Sequence, residues 1–159
     1  MIDEEKIWWL RDHTSASERR EVRSDYERAS EAVRAAFDVQ WELLSARPRE
    51  RWTRPDAAKL RPEKKGGYRE FFEFRFFEDN VQQRPLGYFG PGDKHFTLLI
   101  WATEKGNRFI PPEAVGTCEH RRNGIIGGTS SASPWNEDEE DEADKARKTQ
   151  KQGLPKRLR

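Results

Sequence analysis

Residues 68–101 read Y-R-E-F-F-E-F-R-F-F-E-D-N-V-Q-Q-R-P-L-G-Y-F-G-P-G-D-K-H-F-T-L-L-I-W, and this stretch decides the fold. Phe72, Phe74 and Phe76 alternate with Phe71, Glu73, Arg75 and Phe77. A period of two is what a half-buried strand requires, because successive side chains point to opposite faces. Val81 to Phe89 continues the pattern but contains Pro85 and Gly87, which suits an edge or bulged strand. Phe96 to Trp101 is continuous and apolar, as in a central strand. Asp79-Asn80 and Gly90-Pro91-Gly92-Asp93 are turn sequences short enough for hairpins. The economical expectation is an antiparallel meander of three strands, with Ile7-Trp8-Trp9-Leu10 either a fourth strand or a turn of amphipathic helix.

Outward from the sheet, Val22, Tyr26, Ala29, Val33, Phe37, Trp41 and Leu44 step by three or four. They form one apolar stripe, on one helix or two, that packs on the sheet. Ser15 with Glu18 and Ser24 with Glu27 have capping-box spacing, and Arg47-Pro48 ends the pattern. A short helix is expected near Cys118–Arg122. After it the composition changes. Gly124 to Ser133 is rich in glycine and serine, Glu137 to Asp144 is acidic, and Lys145 to Arg159 is basic. Such a segment buries too little apolar surface to fold. The expected organisation is one domain over residues 1–123, with its core at about 20–122, and a disordered tail over 124–159. The fold class is α+β: a small antiparallel sheet of three to four strands, an N-terminal helical layer and a short C-terminal helix.

The chain has 159 residues, a formal net charge of +1 and one cysteine. Its mean hydropathy of −1.11 is low for a globular protein. A single Cys118 excludes an intramolecular disulfide and fits a reducing compartment. The acidic N-terminus lacks the apolar run of a signal peptide. No apolar run approaches the roughly 18 residues of a membrane span. A cytoplasmic protein with no membrane partner is expected. Zinc spacing, a Walker loop and Gly-x-Ser-x-Gly are absent from the sequence. His13, His95 and His120 are too far apart in sequence to suggest a metal site, and no cofactor is expected. Charge is concentrated locally instead. Between Arg47 and Lys65, Arg47, Arg49, Arg51, Arg54, Lys59, Arg61, Lys64 and Lys65 face only Glu50, Asp56 and Glu63. This connector suits a nucleic-acid backbone, or is a solvated loop.

Five pieces in order carry a resemblance: E-F-R (73–75), Q-R-P-L-G-Y-F-G-P-G (83–92), F-T-L-L-I-W-A-T-E-K-G (96–106), F-I-P-P (109–112) and E-H-R-R (119–122). Together they resemble the phage-derived Gp49-like branch of the RelE/HigB toxin superfamily, over roughly residues 25–122. The resemblance implies a type II toxin, a metal-independent messenger RNA endonuclease acting through the RNA 2′-OH, with dependence on the ribosome in many relatives. It implies a helix-turn-helix antitoxin as partner, and no DNA for the isolated toxin. Residue by residue, it assigns Arg75 and Arg84 to phosphate binding and Lys105 and Arg108 to charge stabilisation, as the catalytic set. Tyr88 becomes a base-stacking residue; the charge of the connector adds Arg49, Arg51, Arg54, Lys59 and Arg61 as RNA contacts. The chemistry is coherent: arginine offers a planar, permanently charged fork to phosphate. Glu70 and Glu73 are candidate bases, or ion-pair partners of Arg75 and Arg84. The family's lysine pair is Glu104-Lys105 here, the lysines used by some relatives fall at Phe71 and Glu73, and no tyrosine follows the last strand. These departures suit an alternative, a non-catalytic RelE-fold binding or regulatory protein of phage or mobile-element origin. A third reading is an interaction domain whose helical stripe docks a partner.

Overall fold

The computed structural model describes residues 6–61 and 71–136. Their element order is β1 (Trp9–Thr14), α1 (Glu21–Arg28), α2 (Glu31–Ser45), a 3-10 turn (Arg49–Arg51), β2 (Ala57–Lys59), β3 (Phe71–Phe74), β4 (Phe76–Glu78), β5 (Val81–Phe89), β6 (His95–Lys105), β7 (Arg108–Ile110), α3 (Ala114–Gly127) and β8 (Ser131–Pro134). The eight strands form one sheet in the order β2-β3-β5-β6-β1-β8, with β4 on β5 and β7 on β6.

The expected meander is present as β3/β4, β5 and β6, all antiparallel. The sheet around it is larger than expected and mixed. β1 lies parallel to β6, with Leu10 opposite Phe96. That pairing is long-range, and no local signal in the sequence announces it. β3 and β4 keep one register on β5, Glu73 facing Leu86 and Phe76 facing Gln83. The interruption lies where Pro85 can donate no ladder hydrogen bond. There the Arg75 amide turns instead to the Asp56 carbonyl at 2.9 Å.

Two helical layers cover the sheet. On one face, Val22 of α1 and Phe37, Trp41 and Leu44 of α2 pack on Leu10, Phe72, Phe74, Phe96 and Leu98. On the other, Ala114 and Cys118 of α3 pack on Phe71, Leu86, Tyr88, Ile100 and Ala102. The stripe read from the sequence is therefore core, divided between two helices. The helix starts differ from the spacing. Ser24 lies inside α1, and α2 is capped by Ser30, whose hydroxyl accepts from the Val33 amide at 3.1 Å. α1 is capped from β1: the buried Asp12 carboxylate accepts the Arg23 amide at 3.2 Å and the Arg20 guanidinium at 2.5 Å. Capping by a residue eleven positions upstream, on another element, leaves no spacing to read.

The boundary at residue 123 is also corrected. α3 runs to Gly127 and ends on Gly128, whose φ of 83° is the left-handed conformation glycine favours at a helix end. Ser131–Pro134 then pairs antiparallel with β1, and Trp135 is buried against Tyr26 and Phe37. A glycine- and serine-rich stretch reads as tail because its side chains bury little. A strand needs only backbone partners, and β1 offers them. Residues 137–159, the acidic and basic parts of the expected tail, lie outside the described residues, as do Lys64, Lys65, Tyr68 and Glu70. Among the described residues no helix is long and apolar enough to cross a membrane.

Candidate functional site

The sheet carries its unusual residues on the face that α3 covers, beyond the reach of that helix. β6 holds an extra residue there. Leu86 faces Ile100, but Gly87 faces Leu98, so Leu99 is bulged. The bulge reverses the alternation of β6. Phe96 and Leu98 face α2, while Ile100 and Ala102 face α3. Glu104 follows the second parity and meets Arg84. The Leu99 carbonyl accepts from the Arg121 guanidinium of α3 at 2.7 Å. Gly87 is fixed by the same feature, since a Cβ there would lie 2.2 Å from the Thr97 carbonyl oxygen.

Arg75 and Arg84, which the resemblance gives one role, come together, but inside a set of alternating charges. Arg84 Nε donates to Glu104 Oε1 at 2.8 Å and lies 3.9 Å from Glu73 Oε2. Its Nη1 donates to the Gln83 carbonyl at 2.8 Å, and its Nη2 donates to Gln82 Oε1. Arg75 Nη1 donates to Glu73 Oε2 and lies 4.0 Å from Glu104 Oε1. The Arg84 side chain is 4% exposed and that of Glu73 is 6% exposed. Two guanidiniums and two carboxylates cancel. Every nitrogen of Arg84 already has an acceptor, so binding a phosphate there would require breaking a buried pair, which is costly. Of the alternatives open for Glu73, ion pairing is the one realised.

Lys105 and Arg108 stand elsewhere. They face each other across the β6–β7 hairpin, whose turn residues Gly106 and Asn107 have φ of 57° and 63°. Two consecutive positive φ values are what a tight two-residue hairpin needs. A groove of about 750 Å³ opens beside them, lined by Arg61 two residues past β2, Phe109, Glu113 before α3 and the apolar Leu60 and Val115. Among the described residues the side chains of Arg61, Lys105, Arg108 and Glu113 form no ion pair or hydrogen bond with one another or with any other group. Three cations and one carboxylate leave the groove positive. Its walls are apolar where Leu60, Phe109 and Val115 pack on the core under α3.

A smaller recess of about 470 Å³ holds Arg54, Arg75, Phe77, Gln82 and Arg84. The four residues assigned as catalytic are thus divided, Arg75 and Arg84 in the recess and Lys105 and Arg108 in the groove. The connector is divided too. Arg54 joins the recess and Arg61 the groove. Arg49 lies over the rings of Phe72 and Phe89, 5.6 and 4.9 Å from their centroids. Arg51 and Lys59 are exposed, outside both depressions. Tyr88 is not open to a base: it is 6% exposed in the core, with Arg122 5.4 Å from its ring centroid. Burial raises its phenol above the ordinary value. Burial likewise pushes the Cys118 thiol far up, as befits a packed helix residue.

Sequence reasoning passed over Glu113 and the exposed Phe77. Phe77 was legible, since it shares the parity of Arg75 and not of Phe72, Phe74 and Phe76. Glu113 lies between a Pro-Pro pair and a helix and carried no pattern. Among the described residues no group of three histidines, cysteines or carboxylates is placed to hold a metal ion.

The described chain is thus an α+β protein, one mixed sheet between two helical layers, with a cationic groove at the end of its central strand. Comparison with family models, curated proteins and solved structures finds no match.

Proposed function

We propose that the chain is an RNA endonuclease of the RelE/HigB type, the toxin of a type II toxin-antitoxin pair, with the groove at Lys105 and Arg108 as its RNA site. The observation that carries this reading is the set of three cations without anionic partners among the described residues, ringed around one apolar-walled groove. RNA brings its own nucleophile. A 2′-OH aligned with the adjacent phosphorus attacks it and gives its proton to water, the bond to the 5′-oxygen breaks and that oxygen takes up a proton from water, and a 2′,3′-cyclic phosphate remains. A protein aids this step by holding strand geometry and by stabilising the charge that builds on the equatorial oxygens. Lys105 and Arg108 supply that charge and Arg61 holds a neighbouring phosphate. Arg75 and Arg84 act as the frame beneath, keeping β4, β5 and β6 in register. The element order, a strand, two helices, a meander and a last helix, agrees with the resemblance. Messenger RNA, the ribosome and a helix-turn-helix antitoxin are the partners this reading entails.

A second reading has its own support. Glu73 and Glu104 neutralise the arginines that the resemblance makes catalytic. That favours a module of the same scaffold that binds RNA without cutting it. One assay separates the two. The protein is incubated with messenger RNA, free and on translating ribosomes, and the ends are mapped for 2′,3′-cyclic phosphate. Cleavage that vanishes in folded Lys105→Ala and Arg108→Ala supports the nuclease. Absence of cleavage in both settings, with RNA still bound through the groove, supports the binding module. RNA binding indifferent to both substitutions removes the groove from either account.

A further inference from the structure

Glu113 is a carboxylate in a groove otherwise lined by cations, and it pairs with none of them. Simple anion binding gives it no role, since a negative charge beside a phosphate site opposes binding. It immediately precedes α3, where its carbonyl accepts the Thr117 amide at 2.9 Å but its side chain makes no capping hydrogen bond, so capping does not explain the carboxylate either. A carboxylate beside apolar walls is suited to the edge of a nucleobase. We infer that the groove receives one unpaired nucleotide of single-stranded RNA and that Glu113 selects guanine; this rests on the RNA reading above.

The selectivity follows from donor patterns. An ionised carboxylate is an acceptor at both oxygens. The Watson–Crick edge of guanine presents two adjacent donors, N1–H and N2–H, and meets it with two parallel charge-assisted bonds. Adenine sets its amino group beside the N1 lone pair, and cytosine sets its amino group beside N3. Uracil has one N–H between two carbonyls. Each of these turns a lone pair toward the second carboxylate oxygen. Sequence-specific recognition of RNA takes this form, with an unstacked base read on its edge. The base lies along Phe109 and Leu60, while Lys105 and Arg108 hold its phosphates and offset the repulsion from Glu113.

The test measures binding, so it does not depend on cleavage. Labelled single-stranded uridine oligomers carry one central guanine, inosine, adenine or cytosine, and the full-length chain is titrated by fluorescence anisotropy. Guanine is expected to bind more tightly than adenine or cytosine by roughly fivefold to a hundredfold, the range of one good bidentate base contact. Inosine, which lacks the 2-amino group, falls between. In Glu113→Gln the order collapses, with the thermal midpoint unchanged because the residue is exposed and unpaired. Equal affinity for all bases, or a guanine preference that survives Glu113→Gln, overturns the inference. In either case binding that still weakens in Lys105→Ala leaves the RNA site standing. Absence of RNA binding by the wild type overturns both.

Discussion

Arg84 is the residue at which position and chemistry separate. Its guanidinium is surrounded by acceptors and nearly excluded from water. Arg84→Ala would leave Glu73 and Glu104 facing a buried void, and breaking such a pair costs about 3–5 kcal/mol. Denaturant unfolding of this variant should show that loss, so a null activity in Arg84→Ala reports folding before it reports catalysis. Arg84→Lys should recover little of it, because a compact ammonium at the end of its stem cannot span the acceptors that Glu104, Gln83 and Gln82 set around the planar guanidinium fork. Lys105→Ala and Arg108→Ala belong to the other category. Both side chains are exposed, so stability should stay within about 0.5 kcal/mol of the wild type. Gly87→Ala is the corresponding backbone case. Its Cβ would meet a carbonyl oxygen that cannot swing away, and a loss of about 1–3 kcal/mol is expected from unfolding curves.

Among the elements, β8 is the one whose removal is most telling. Its side chains are small, yet it pairs with β1 and delivers Trp135 to the core. A chain ended after residue 136 should melt cooperatively near the full-length midpoint, whereas Trp135→Ala should lose about 3–5 kcal/mol. Equal melting of Trp135→Ala and the wild type would remove β8 from the folded unit. β1 adds a pH dependence. Burial holds His13 below its ordinary 6.5, with the Arg121 charge in the same direction and Glu21 opposing. The unfolded chain therefore binds the His13 proton more readily than the folded one. Its contribution is present in full above pH 6.5 and is lost as pH falls through the lower folded value. Unfolding free energy measured across this window should fall with pH in the wild type and fall less in His13→Gln. Asp12 has the opposite sign, because burial outweighs Arg20 and raises its carboxyl above 3.8.

For the molecule as a whole, the relevant charge is local. A net charge of +1 predicts no attraction for nucleic acid, but three phosphate contacts in the groove predict a slope of about −2 in log affinity against log salt for a single strand. Lys105→Ala should reduce that slope by about 0.7. A slope unchanged by all three groove substitutions would place binding elsewhere. The sequence by itself determined the α+β class, the meander of β3/β4, β5 and β6, the apolar stripe of α1 and α2, and the hairpin turns. All of these arise from contacts near in sequence, so periodicity and turn chemistry record them. It also put Arg75 on the sheet face opposite Phe72, Phe74 and Phe76, where Arg84 joins it, since strand parity is local. Only the tertiary structure decided that Glu73 and Glu104 would neutralise this pair, because the Leu99 bulge aims Glu104 and no motif marks a bulge. Only there could β1 join β6 in parallel, Asp12 cap α1 and β8 close the sheet. Each couples segments far apart in the chain, and the backbone hydrogen bonds and buried charges that join them leave no periodic trace in the residues on either side.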